Sequence, residues 1–187
     1  TAACTKEPAV SELKNAILAE TSTVSGDFSV AYINLDNPAD TLFINETMMF
    51  HAASTMKTPV MIEAYKQARD GGITIQDPVL VHNTFKSIVD SSEYNIDPNR
   101  DSGRELHEKI GELIPMRDII YNMTILSGNL ATNLVIDIVG ADNVMETMRE
   151  LGANDIEVLR GVEDMLAFRE GLNNRTNSRD LAILFEH

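Results

Sequence analysis

Ser54-Thr55-Met56-Lys57 sets a hydroxyl and an amine a little under one helical turn apart, where the apolar stretch Met48 to Ala53 gives way to helical periodicity. On a helix the two side chains share a face. A serine beside a lysine that burial keeps neutral is an acylating nucleophile with its own base. The four letters alone are common, since an N-cap serine followed by a solvated lysine gives the same pattern. A second polar group, Ser127-Gly128-Asn129, lies further along the chain between two apolar helical segments. Small polar residues at such a break also serve a plain helix junction, where they bond free backbone groups. Taken together, the two groups supply a nucleophile, a base candidate, a second hydroxyl to relay a proton and an amide to hold a substrate.

The elements that must position these groups follow from periodicity. Pro8 to about Glu20 carries Val10, Leu13, Ile17 and Leu18 on one stripe and reads as an amphipathic helix. Gly26 breaks it, Phe28 to Leu35 reads as a strand ending in the turn Asp36-Asn37-Pro38, and Thr41 to Ile44 completes a hairpin. A helix begins near Thr55, tolerates Pro59 in its first turns, and stops at Gly71-Gly72. From about Ile73 to Lys109 the pattern weakens into a loop-rich excursion with one short helix, and its function is not legible. Three helices follow, Pro115 to Leu126, Leu130 to Val139 and Asp142 to Leu151. Asn154 to Leu159 reads as extended, Arg160 to Asn177 as a polar loop, and Ser178 as the cap of a last helix.

The 187 residues are 43% hydrophobic, enough for a real core in one globular unit or one split into two lobes. A formal charge of −14 repels nucleic acid and anionic lipid, and nucleic-acid binding is excluded on that ground. No apolar run is long enough to span a membrane. His51, His82, His107 and His187 stand at no metal-ligand spacing, and neither a metal nor another cofactor is expected. Methionines at helical core positions read as packing, and Arg160 with Glu163 and Asp164 reads as an ion pair pinning the polar loop or as a solvated turn. The single cysteine, Cys4, excludes an intramolecular disulfide. Thr1-Ala2-Ala3-Cys4, followed by polar residues, resembles the end of a bacterial lipoprotein signal. The expectation is an exported protein, periplasmic or anchored to the outer membrane by lipid at Cys4, the alternative being a free thiol.

On Phe50-His51-Ala52-Ala53-Ser54-Thr55-Met56-Lys57, Ser127-Gly128-Asn129 and Ala131-Thr132-Asn133-Leu134, the chain resembles the penicillin-recognising serine hydrolases, most of all the class A β-lactamase-like family. The resemblance covers nearly the whole sequence. It implies an α/β (α+β) fold in two parts, with residues 1–50 giving the N-terminal helix and hairpin of the sheet lobe and residues 51–187 the helical lobe. It also implies that Ser54 is the acylated nucleophile, Lys57 the base candidate, Ser127 the proton relay and Asn129 a substrate-binding amide. Leu172-Asn173 matches the end of the class A deacylation motif, which makes Asn173 a substrate-binding candidate; Glu170 is the catalytic carboxylate candidate, with Glu163 nearby.

Three departures qualify the transfer. Gly128 stands where class A enzymes usually carry aspartate, and S-G-N resembles the low-molecular-weight D-alanyl-D-alanine carboxypeptidases. Arg169 holds the expected glutamate position, with Glu170 and Glu163 out of register. No K-T-G follows Asn129, and the closing strands implied by the resemblance are absent from the sequence. Those strands would pair with Phe28 to Ile44, so an exposed sheet edge and self-association through it are expected. The leading expectation is hydrolysis of a β-lactam amide through a Ser54 acyl-enzyme, with the chain as given inactive. The alternatives are a D-alanyl-D-alanine peptidase that binds penicillin, and an inactive fragment or β-lactam-sensing module.

Overall fold

The computed structural model describes residues 10–37 and 39–186. Cys4, with the lipid anchor expected there, and His187 lie outside them. Helix α1 (Val10–Thr21) precedes the antiparallel pair β1 (Val30–Ile33) and β2 (Thr41–Ile44), joined in the register Val30 to Ile44. The hairpin read from the sequence is therefore present with a shorter first strand. Phe28 and Ser29 fall outside the ladder, and beyond its last pair Asn45 Nδ2 donates to the Phe28 carbonyl. Strand β3 (Phe50–His51) leads into a 3-10 turn, Ala53–Met56, and then helix α2 (Lys57–Arg69).

The excursion after α2 is more ordered than its composition suggests. Strands β4 (Pro78–Leu80) and β7 (Leu113–Pro115) pair, β5 (Phe85–Lys86) pairs with β6 (Glu93–Tyr94), and a 3-10 turn covers Arg104–Lys109. Strands of two or three residues carry too little periodicity to be read from sequence. Helices α3 (Met116–Ile125), α4 (Asn129–Val139) and α5 (Ala141–Glu150) follow within a residue or two of their expected bounds. The polar loop from Arg160 holds a short helix, α6 (Met165–Arg169), and strand β8 (Arg175–Thr176), which pairs with β3; Glu157 bridges Arg175. Helix α7 (Ser178–Glu186) closes the described chain. Its first turn is capped by Asn177 Oδ1, which accepts from the Asp180 N–H at 2.8 Å; the Ser178 hydroxyl expected to cap it instead bonds Ser29 Oγ.

Helix α4 is the centre of the helical part. Leu130, Ala131, Leu134, Val135 and Val139 are essentially inaccessible to water. Val60 and Ala64 of α2, Ile119 and Met123 of α3, and Val144 and Met148 of α5 join the same core. A helix apolar nearly all round belongs inside a bundle. Each of the Val, Leu, Ile and Met side chains in this core contributes about 1.5–3 kcal/mol by leaving water. Among the described residues no helix is long and apolar enough to cross a membrane.

Buried carboxylates fasten the loops to this core. Asp164, 1% exposed, accepts from Ser87 Oγ and the Ala167 N–H on Oδ1 and from the Ile88 N–H on Oδ2, so it caps α6 and ties it to the β5–β6 hairpin. Asp180 accepts the N–H groups of Asp155 and Ile156. Replacing Asp164 by alanine leaves the buried Ser87 hydroxyl and Ala167 N–H, and the more exposed Ile88 N–H, without their acceptor and is expected to cost about 2–4 kcal/mol in urea unfolding. A loss below about 0.5 kcal/mol would contradict the fastening role.

Candidate active site

The 3-10 turn ahead of α2 presents Ser54 at the surface while Met56 and Lys57 are buried, and Thr55 Oγ1 closes the turn on the Ala52 carbonyl. Ala53 holds φ +45° just before the serine. Ser127 (φ +58°) and Glu163 (φ +63°) share that left-handed conformation. Such residues cost about 1–3 kcal/mol apiece and persist where surrounding structure over-determines them. Here three of them fall around one cleft.

The Ser54 and Ser127 hydroxyl oxygens are 2.9 Å apart. Lys57 Nζ donates to the Ser127 carbonyl at 2.5 Å and to Asn129 Oδ1 at 3.1 Å, and lies 3.0 Å from Ser127 Oγ. Two of these three partners can only accept, whereas the Ser127 hydroxyl can donate as well. A neutral Lys57 would therefore keep both donor bonds and turn its lone pair toward Ser127. Burial lowers the Lys57 pKa from 10.5 to about 8, with the Asp101 charge acting upward against it. About a tenth of the lysine is then neutral near pH 7.

The cleft beside Ser54 encloses about 310 Å³ and is lined by His51, Ala53, Lys57, Asn129, Arg160, Val162, Glu163, Met165, Phe168 and Asn174 among others. Its lining combines the polar groups of Ser54, Lys57, Asn129 and Glu163 with the apolar side chains of Val162, Met165 and Phe168. His51 sits in β3 and meets Phe168 edge-on, while the Arg160 guanidinium lies 5.7 Å from the Phe168 ring centre. The loop is pinned by other means than an Arg160 ion pair with Glu163 or Asp164. Arg160 Nε and Nη1 donate to the Leu172 and Gly161 carbonyls, and the Asn133 amide clamps Val162 through its N–H and its carbonyl.

The structure brings Ser54, Lys57, Ser127 and Asn129 together and leaves Glu170 and Asn173 outside the cleft lining. Glu170 is the exposed C-cap of α6, and Asn173 Oδ1 accepts from Arg160 Nη2 at 3.4 Å. Glu163 and Asn174 line the cleft instead. Glu163 Oε1 accepts from Asn129 Nδ2 at 3.3 Å, and Asn174 bonds Leu159, Arg160 and Met56. Helix α6 lies between Glu163 and Asn174, a turn too short for periodicity to show in the sequence.

Gly128 is required by a close approach. A Cβ there would overlap Asn122 Oδ1 and press on Gly103 Cα at 3.3 Å. The N-terminus of α4 therefore has no side-chain cap of its own, and its caps come from Asp101. In the sequence Asp101 is marked only by an Asp-Ser-Gly stretch within the excursion.

The chain matches the beta-lactamase enzyme family over residues 9–187 and belongs to it. No curated protein matches it. Its fold is similar to a β-lactamase from Sphaerobacter thermophilus (24% identity, TM-score 0.69, 94% of this chain and 59% of that one). It is also similar to the TLA-3 extended-spectrum β-lactamase (19%, TM-score 0.78, 95% and 62%). A third likeness is to a mutant of PBP-A solved as an acyl-enzyme complex with penicillin G (24%, TM-score 0.71, 93% and 60%). The chain thus spans about 60% of the length of these structures.

Gly128→Ala is expected to cost about 1–3 kcal/mol in stability by overpacking the turn that carries Ser127 and Asn129. Parent-like thermal unfolding of that variant would show that the turn has room which the structure denies it.

Proposed function

We propose that this chain carries the acylating machinery of a serine hydrolase that opens a β-lactam amide through a Ser54 acyl-enzyme. The observation that carries the reading is the unbroken path from Ser54 Oγ through Ser127 Oγ to Lys57 Nζ, at 2.9 and 3.0 Å. Along it, neutral Lys57 takes a proton from Ser127 as Ser127 takes one from Ser54, and the freed alkoxide attacks the lactam carbonyl. The protonated lysine then returns the proton through Ser127 to the leaving nitrogen as the ring C–N bond breaks. Asn129 has an amide with which to hold a substrate carbonyl or N–H at the rim. The acyl-enzyme captured for PBP-A, a protein of similar fold, supports the same assignment of chemistry.

The fate of the acyl-enzyme separates two readings. Glu163 is the carboxylate of the cleft, bonded to Asn129 at 3.3 Å and to the Asp97 N–H at 3.4 Å, and a water activated there would release the acyl group as in a β-lactamase. The second reading is a penicillin-binding D-alanyl peptidase, favoured by Gly128 in the S-G-N turn. Export, with lipid at Cys4, fits either substrate and remains part of the proposal.

Intact mass after incubation with a penicillin, on this chain and on the full product of its gene, tests the reading. A single adduct on Ser54 is expected, absent in Ser54→Ala and slowed at least about 100-fold in Lys57→Ala. Hydrolysed drug with little adduct identifies a β-lactamase, and a persistent adduct identifies the penicillin-binding alternative. Undiminished labelling of Ser54→Ala, or no reaction of the full gene product, overturns the assignment.

A further inference from the structure

Asp101 is the most heavily bonded carboxylate near the cleft, yet it is not part of the cleft lining and reaches it only through the backbone of Asn129. It is 1% exposed and takes four donors. Oδ1 accepts from the N–H groups of Asn129 at 2.8 Å and Gly103 at 2.9 Å. Oδ2 accepts from the Leu130 N–H and from His107 Nε2, each at 2.9 Å. The His107 side chain is itself only 7% exposed and closes the carboxylate off from water.

Two of those donors, Asn129 and Leu130, are the first residues of α4. A carboxylate on free N–H groups at a helix N-terminus both satisfies them and complements the positive end of the helix dipole. The usual source of such a cap is the residue just before the helix, but here that residue is Gly128, which has no side chain and no room for one. The loop bearing Asp101 and Gly103 packs directly on Gly128, so the carboxylate is brought in from a distant part of the chain. The same turn presents the Ser127 carbonyl, the Ser127 hydroxyl and the Asn129 amide to Lys57.

We propose that Asp101 is a positioning residue of the acylating site, which locks the Ser127–Asn129 turn against Lys57 and sets a fixed negative charge behind the lysine. This role rests on Lys57 serving as the base for Ser54. Burial acts to raise the Asp101 carboxyl, but the N–H groups of Leu130, Asn129 and Gly103 and the His107 ring outweigh it and hold it below the ordinary carboxylate value. It is therefore charged wherever Lys57 titrates. The other titratable or charged groups around the lysine are His107 behind Asp101 and His51, Arg160 and Glu163 along the cleft. Of all of these, Asp101 is the one whose charge acts on Lys57 against its burial.

The test follows the Lys57 side-chain signal by NMR in protein labelled with ¹³C-lysine, assigned by its loss in Lys57→Ala. In the parent it is expected to titrate at about 8. In Asp101→Asn the midpoint is expected to fall by about half a unit or more, because the opposing charge is gone while the burial stays. A merely structural role would loosen the fold without moving that midpoint downward. An unchanged or raised midpoint in folded Asp101→Asn overturns the proposal. Should that variant not fold, Asp101→Glu decides, since it keeps the charge but misplaces the oxygens. Amide exchange at Asn129 and Leu130 is then expected to quicken about tenfold or more, and parent-like protection overturns the proposal. Neither readout needs Ser54 to react, so failed penicillin labelling would sink the acylation reading and leave this test intact.

Discussion

The site depends on keeping one amine out of water. Lys57 is 4% exposed, and burial is what brings its pKa down to about 8. An exposed lysine would stay protonated and could not take a proton from a serine at neutral pH. The cost of burying it is offset by three hydrogen-bond partners, every one of them on the Ser127–Asn129 turn. Those partners must therefore be in place before the lysine can be both buried and satisfied. Most of the architecture around the cleft follows from that requirement.

Helix α4 supplies the rigid platform. Its apolar residues fix it against α2, which begins at Lys57 directly after the 3-10 turn that carries Ser54, and against α3, which ends at the Ser127–Asn129 turn. The turn is held by glycine packed on glycine, with the left-handed conformation at Ser127 maintained by the contacts around it. One face of the cleft is then completed by the loop from Arg160, fastened through Asn133, Asp164 and Asn174 rather than by exposed ion pairs. Backbone-directed bonds of this kind are specific in direction and survive salt, which suits a wall that must hold Glu163 beside Asn129.

Much of this was legible in the sequence, and the limits have physical causes. The bundle helices carried strong periodicity, so α2, α3, α4 and α5 fell close to their expected bounds. Ser54, Lys57, Ser127 and Asn129 stood in the sequence as two short motifs, each common by itself, that the family resemblance joined, and the structure brings the four within hydrogen-bond reach of one another. Glu163 was named only beside the favoured Glu170 and Asn174 was not named, since the loop between them folds through a five-residue helix that no pattern announces. Asp101 was missed because its action is through space, on a turn far along the chain, and nothing local marks a carboxylate as the cap of a distant helix. Glycine at position 128 looked like a departure from the family pattern when read alone. In the structure it is the consequence of Gly103 and Asn122 lying against it.

The central claim is that Lys57, acting through Ser127, takes the proton from Ser54. The rate at which a penicillin acylates Ser54, followed by mass across pH, tests this most directly. The account predicts a rate that climbs with pH and levels off above a midpoint at about 8, as Lys57 loses its proton. A rate already at its plateau by about pH 6 would place the proton on a carboxylate instead and contradict the account.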